Sequence, residues 1–177
     1  KYFSGFHTDE VVKWSLSGKG DVNAKIKKWT AEGAVVEVED TANETATMTI
    51  PLMGEFQVQN VLGAVSALLA AGFSLERVAN AVEGIKPVPG RLERIQEGQD
   101  FEVIVDYAYE PYALEALFKS VEPMKPKRII GVHGSAGGGR DVARRPKIGR
   151  VAAEHEDLVI VTNEDPYDED PREIIEQ

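Results

Sequence analysis

A chain of 177 residues has room for one large domain or two small ones, and 42% hydrophobic with 28% charged residues is the balance of a globular protein. The absence of cysteine excludes a disulfide framework and a thiolate metal site, and a formal net charge of −10 argues against a broad nucleic-acid-binding face. The longest apolar run, 13 residues from Val61 to Phe73, is too short to span a bilayer, and no charged-then-apolar leader opens the chain, so a cytoplasmic monomer with neither nucleic acid nor membrane as partner is expected.

Residues 10–52 alternate in the β manner through VVKWSL, DVNAKIKKW, AVVEVED and ATMTIPL, which predicts an antiparallel meander. Trp14 and Trp29 fall in these runs, where core or cross-strand packing is their simpler role. His7 stands alone in a polar segment and is assigned no role. After Gly54-Glu55, FQVQNVLGAVSALLAAG predicts a helix apolar on nearly every side, hence buried, and ended by Gly72. Ser74 can cap the next helix, which closes at Gly84. Gln57, Gln59 and Asn60 stand out at the start of the first helix. There they can serve the free N–H groups of the first turn or contact a ligand.

The segment PVPGR, 87–91, is a joint, because each proline fixes its own φ and biases the residue before it towards extended geometry. It separates two domains, 1–88 and 89–177, and a cleft between domains is a usual place for a ligand. Beyond it VIVDY reads as a strand covered on both faces and ending on Asp106. Pro111 suits the first turn of a helix with Leu114, Leu117, Phe118 and Val121 on one face. RIIGVHG is the next strand and SAGGGRDVARR a basic loop. Pro146 opens a helix with Ile148, Val151 and Ala152 inward, and LVIVTNEDP is the third strand. Short links between these elements imply an α/β fold with a parallel, right-handed sheet. All three strands then end on one edge, bringing Asp106, the loop around Arg140 and Asn163–Asp165 together where open sheets bind ligands.

The loop GSAGGGR lacks the Lys-Ser/Thr of a phosphate-binding P-loop and does not fit GxGxxG leading straight into a helix. Its simpler reading is a loop that carries Arg140 to a carboxylate or phosphate, a task that suits a forked guanidinium. His133, just before it, reads as a structural hydrogen-bonding histidine, with a catalytic one as the alternative. No Ser/His/Asp ordering and no His-rich metal spacing is present. The carboxylates at 164–170 can hold Mg2+ or an ammonium group. Arg140 against Glu164 and Asp165 would offer both charges that a zwitterionic amino acid needs. The remaining basic residues, among them Arg144 and Arg145, read as solvated surface.

Taken in order, FQVQN with its Ala-rich helix, KPVPGRLE, VIVDYA, GGGRD…RRP and TNEDP…EDP resemble the Mur ligases. The nearest type adds the third amino acid of the peptidoglycan stem peptide to UDP-N-acetylmuramoyl-L-Ala-D-Glu. The resemblance runs from Trp14 to the chain end. It implies that residues 1–88 are the C-terminal part of a central ATP-binding domain, antiparallel strands plus helices. Residues 89–177 are then the first half of a Rossmann-like parallel α/β C-terminal domain that binds the amino acid. It further implies ATP and Mg2+ as cofactors, with the P-loop, the metal carboxylate and a modified lysine upstream of Lys1. In the family reaction the substrate carboxylate is phosphorylated by ATP, and the incoming amine displaces phosphate, largely through positioning and charge neutralisation. The chain starts at a lysine and stops early in a helix, so a fragment without ligase activity of its own is expected.

By the same resemblance Asn60 matches an Asn near the adenine, and Arg91 the linker Arg that reaches ATP. Asp106 matches the acid of a DYAH motif on the nucleotide side, with Tyr109 and Glu110 in place of the usual His-Thr. Arg140 matches the Arg that binds the incoming amino acid. Glu164-Asp165-Pro166-Tyr167 sits where diaminopimelate-adding members carry DNPR. Tyr167 therefore replaces the Arg that grips the distal carboxylate of diaminopimelate, which shifts the expectation towards lysine or another amino acid with a cationic end. Gln57 for Asn, and GGGRD for GGDRD, are further departures. A folylpolyglutamate- or cyanophycin-type ligase and a non-catalytic binding module are the other readings.

Overall fold

The computed structural model describes residues 10–30 and 32–177, and His7 lies outside the described residues. The chain divides into two compact units, Lys1–Val88 and Pro89–Gln177. Among the described residues no helix is long and apolar enough to cross a membrane.

In the first unit β1 (Trp14–Ser15), β2 (Val22–Trp29), β3 (Ala34–Glu39) and β4 (Thr45–Ile50) form one sheet in sequence order. β2, β3 and β4 make the antiparallel meander that the alternation predicts. β1 departs from it and runs parallel to β2, with Trp14 opposite Val22. The cause is the connecting loop. The Lys13 carbonyl accepts from the N–H groups of both Asp21 and Val22 (2.7 and 3.0 Å), and the Asp21 carboxylate accepts from the Lys13 N–H (2.8 Å). These bonds fold the loop into an arch instead of a hairpin.

Alternation along the strands buries Val22, Ala24, Ala34, Val36, Val38, Met48 and Ile50, while Lys25, Lys27, Thr45, Thr47 and Thr49 are exposed. Two helices, α1 (Glu55–Ala70) and α2 (Leu75–Val82), cover the apolar side. Val58, Val61, Leu62 and Val65 of α1 and Leu75, Val78 and Val82 of α2 join the sheet residues in one cluster. Full burial of such a side chain is worth about 1.5–3 kcal/mol, so this cluster dominates the unit's stability. α1 is not buried all round: Ala64, Ala67, Leu68 and Ala70 are exposed. Alanine raises the apolar count of a helix but exposes little surface, so an Ala-rich face tolerates water. Gly72, at φ 87, ends α1: the Phe73 N–H reaches the Leu68 carbonyl (3.1 Å) and its own N–H the Leu69 carbonyl (2.9 Å). Ser74 caps α2 by accepting from the Arg77 N–H. Trp14 and Trp29 are 41% and 42% exposed, so neither is a core residue; the Trp14 indole lies against Gly63 of α1.

The second unit is α/β. An antiparallel pair, β5 (Glu93–Ile95) and β6 (Val103–Val105), is followed by α3 (Pro111–Val121) and β7 (Ile130–His133). α4 (Arg145–His155), β8 (Leu158–Val161) and α5 (Pro171–Glu176) complete it. β7 and β8 are parallel, joined through α4 as expected. β6 does not extend their sheet; it pairs with β5, so the single three-stranded parallel sheet is not formed. An apolar run such as VIVDY reports a tendency to burial and does not specify which strand it pairs with. Here burial is incomplete, with Val105 45% exposed. The unit's core is small: Leu114 and Phe118 of α3 against Ile148, Val151 and Ala152 of α4, flanked by Ile129 and Val159. Pro111 and Pro146 occupy the first turns of α3 and α4, where a missing N–H costs nothing.

Candidate functional site

The joint and the end of β6 are tied through one carboxylate. Asp106 accepts the N–H of Leu92 (2.7 Å), and Leu92 is a buried residue at φ 48. The Gly90 N–H is held by Glu93 (2.7 Å). Arg91 between them is exposed, and its guanidinium lies 5.1 Å from the centre of the Tyr107 ring. Tyr107 meets Tyr109 edge to face at 5.3 Å. The Arg144 guanidinium lies over the Tyr109 ring, 5.1 Å from its centre, and also contacts Glu110 at 3.4 Å.

The loops after β7 and β8 are latched to each other. The Gly137 N–H donates to the Asp165 carbonyl (3.0 Å). A Cβ at Gly137 would run into the Pro166 carbonyl, so only glycine allows this approach. Arg140 donates to the Gly137 carbonyl (3.1 Å), and its guanidinium lies 5.0 Å from the Tyr167 ring centre. Asp165 and Tyr167 have φ of 31° and 54°, a left-handed backbone that non-glycine residues adopt at a cost. Arg140 is thus held by a carbonyl and a ring. Glu164 and Asp165 do not ion-pair with it among the described residues, so the opposed charges foreseen there are not joined.

Arg144 and Arg145 connect these two groups of contacts. Both are buried, at 8% and 5% exposure, which corrects their reading as solvated surface. Arg145 donates to Glu169 (2.9 Å), to the Ala136 carbonyl (3.3 Å) and to Gln177 (2.9 Å). A guanidinium taken out of water needs such partners. The one sequence signal was their place directly before Pro146, where a helix begins beside the strand tips. His133 makes a hydrogen bond of the kind its position suggested: its Nε2 pairs at 2.6 Å with Glu156, whose side chain is 2% exposed.

In the first unit Asn60 is exposed on α1 and donates to Gln57 (3.3 Å), while Gln59 donates to Glu55 (3.4 Å). These side chains bond one another and do not cap the helix, whose N-cap Gly54 makes no side-chain bond. Among the described residues no three acidic or histidine side chains converge on a possible metal, so the carboxylates at 164–170 form no Mg2+ cage. A cavity of about 260 Å³ lies between β8, α4 and α5, lined by Ile148, Ala152, Val159 and Ile174 with Ser135 and Arg145. Asp106, Arg140, Asp165 and Tyr167 lie outside it.

The family model described as "Mur ligase, glutamate ligase domain" matches residues 90–177. The UDP-N-acetylmuramoyl-L-alanyl-D-glutamate–2,6-diaminopimelate ligase of Geobacillus kaustophilus is 38% identical over 99% of the chain and 35% of its own length. The ligase of the same name from Trichormus variabilis is 46% identical over 71% of the chain and 26% of its own length. The crystal structure of MurF from Acinetobacter baumannii superposes with a TM-score of 0.68 at 26% identity, over 84% of the chain and 33% of that protein. The chain spans about a quarter to a third of the length of these relatives.

Proposed function

The chain belongs to the Mur ligase family, and we propose that it serves an ATP-dependent, ADP-forming ligase that adds a diamino acid to UDP-N-acetylmuramoyl-L-Ala-D-Glu in peptidoglycan precursor synthesis. The latch between the loops after β7 and β8 carries this reading. It fixes Arg140, which lacks an ion-pair partner among the described residues, beside Tyr167 and the acidic segment. A guanidinium held by a carbonyl and a ring keeps donors for the carboxylate of an incoming amino acid. Glu164 and Asp165 take its ammonium group. Arg91 contacts nucleotide phosphate, Asp106 and Tyr109 lie on the nucleotide side, and Asn60 meets the adenine.

ATP supplies the phosphoryl group that activates the acceptor carboxylate. The residues of this chain bind and orient. Exposed Arg91, backed by Tyr107, fits an anionic phosphate, so these residues suit the nucleotide. By the family resemblance the Mg2+ ligands lie upstream of Lys1, and the 177-residue chain alone is expected to release no ADP. Diaminopimelate is the first reading for the amino acid, since it appears in the names of the relatives above. Lysine is the second, favoured by Tyr167 standing where a guanidinium would meet a distal carboxylate.

ADP release by the full-length gene product, with the UDP-muramoyl dipeptide and a panel of amino acids, tests the proposal. Release that requires both the dipeptide and a diamino acid is expected. Release with glutamate alone, or none with any amino acid, would contradict it.

A further inference from the structure

Arg91, Tyr107, Tyr109 and Arg144 form a continuous ladder of cation, ring, ring and cation. Its two ends differ. The Arg144 side chain is 9% exposed, and it sits at the start of α4 beside the hydrogen-bonded Arg145. Among the described residues its Nε–H is buried without an acceptor, and its only ion-pair contact is the 3.4 Å approach to Glu110, itself 49% exposed. Such weak pairing leaves the Tyr109 ring as a main electrostatic partner of this desolvated cation. Arg91 is exposed and has no ion-pair partner among the described residues. Its backbone is fixed by the Leu92–Asp106 bond, but a long arginine side chain in water samples many rotamers. The tyrosines between are 61% and 51% exposed, so they are placed by each other and by the arginines more than by a core. Order therefore runs from the buried end to the exposed one.

We propose that Arg144 is a positioning residue: through Tyr109 and Tyr107 it sets where the Arg91 guanidinium meets nucleotide phosphate. The proposal rests on the ligase reading above and adds to it a residue that makes no contact with Arg91.

The test uses the full-length gene product, with the KM for ATP from ADP release and the Kd for ADP from calorimetry. Arg144→Met should raise both by roughly five- to tenfold, the factor that a lost cation–π contact corresponds to. The KM for the amino acid should move less than twofold. Because Arg144 acts only through Arg91, the Arg91→Met, Arg144→Met double variant should bind ADP no more weakly than Arg91→Met alone. Tyr109→Ala, at a half-exposed position, should reproduce the Arg144→Met effect should that variant fold poorly. Multiplicative losses in the double variant, an equal rise in the KM for the amino acid, or unchanged ADP affinity in both Arg144→Met and Tyr109→Ala would overturn the proposal. Absence of any ADP release from the parent protein would overturn the ligase reading instead.

Discussion

Each of the two units of the chain has its own kind of internal contact. In the first, one continuous apolar cluster joins three strands and two helices. In the second, five buried side chains form the core, and buried arginines tie the loops. Removing a core side chain from the first should therefore cost more than removing a tie from the second, and only the second loss should reach the candidate site. Met48→Ala, at a fully buried position, should destabilise the first unit by about 2–5 kcal/mol. Both tryptophans, Trp14 and Trp29, lie in that unit, so urea unfolding of the 177-residue chain followed by tryptophan fluorescence reads this directly. A loss below about 1 kcal/mol would mean that the cluster is not what holds the unit.

Arg145→Met should cost about 1–3 kcal/mol, because it strands the Ala136 carbonyl and Glu169. Amide hydrogen exchange should quicken in α4 and α5 and stay unchanged in α1. Equal quickening in both units would erase the contrast between them. A smaller effect is expected from Tyr167→Arg in the full-length protein. It should raise the preference for diaminopimelate over lysine roughly three- to tenfold, and an unchanged ratio would misplace the amino-acid pocket.

The smallest effect is expected in the β5–β6 pair. Arg94 forks onto Glu102 (3.0 and 2.7 Å), and that hydrogen bond holds the Glu102 carboxyl below its ordinary value of 4.5. A depressed acid stabilises the fold above its unfolded pKa, and the contribution is lost as pH falls through the folded one. The stability gap between the parent chain and Glu102→Gln should thus be slight at neutral pH and close as pH drops below 4.5. A gap that widens on acidification would show the reverse linkage.

Local chemistry carried over from sequence to structure where it acts through neighbours in the chain. Gly72, Ser74, Pro111 and Pro146 end or begin their helices by rules that need only adjacent residues. Pairing did not carry over: β5 lies in the polar stretch RLERIQEG, and nothing in VIVDY singles it out as a partner. Burial of charge was equally hidden. Arg144 and Arg145 resemble Arg150 in sequence, and only the folded loops distinguish them. Arg140 stood out in the sequence as the arginine carried by a glycine-rich loop. Its stack on Tyr167 depends on two left-handed residues that no pattern announced.

The most direct measurement concerns that arginine. In the full-length protein, Arg140→Ala should raise the KM for the incoming amino acid at least about tenfold, the scale of a lost charge-assisted bond, and leave the KM for ATP within about twofold. A KM for ATP that rises in step with that for the amino acid, or neither rising, would contradict the placement of the amino acid between the loops after β7 and β8.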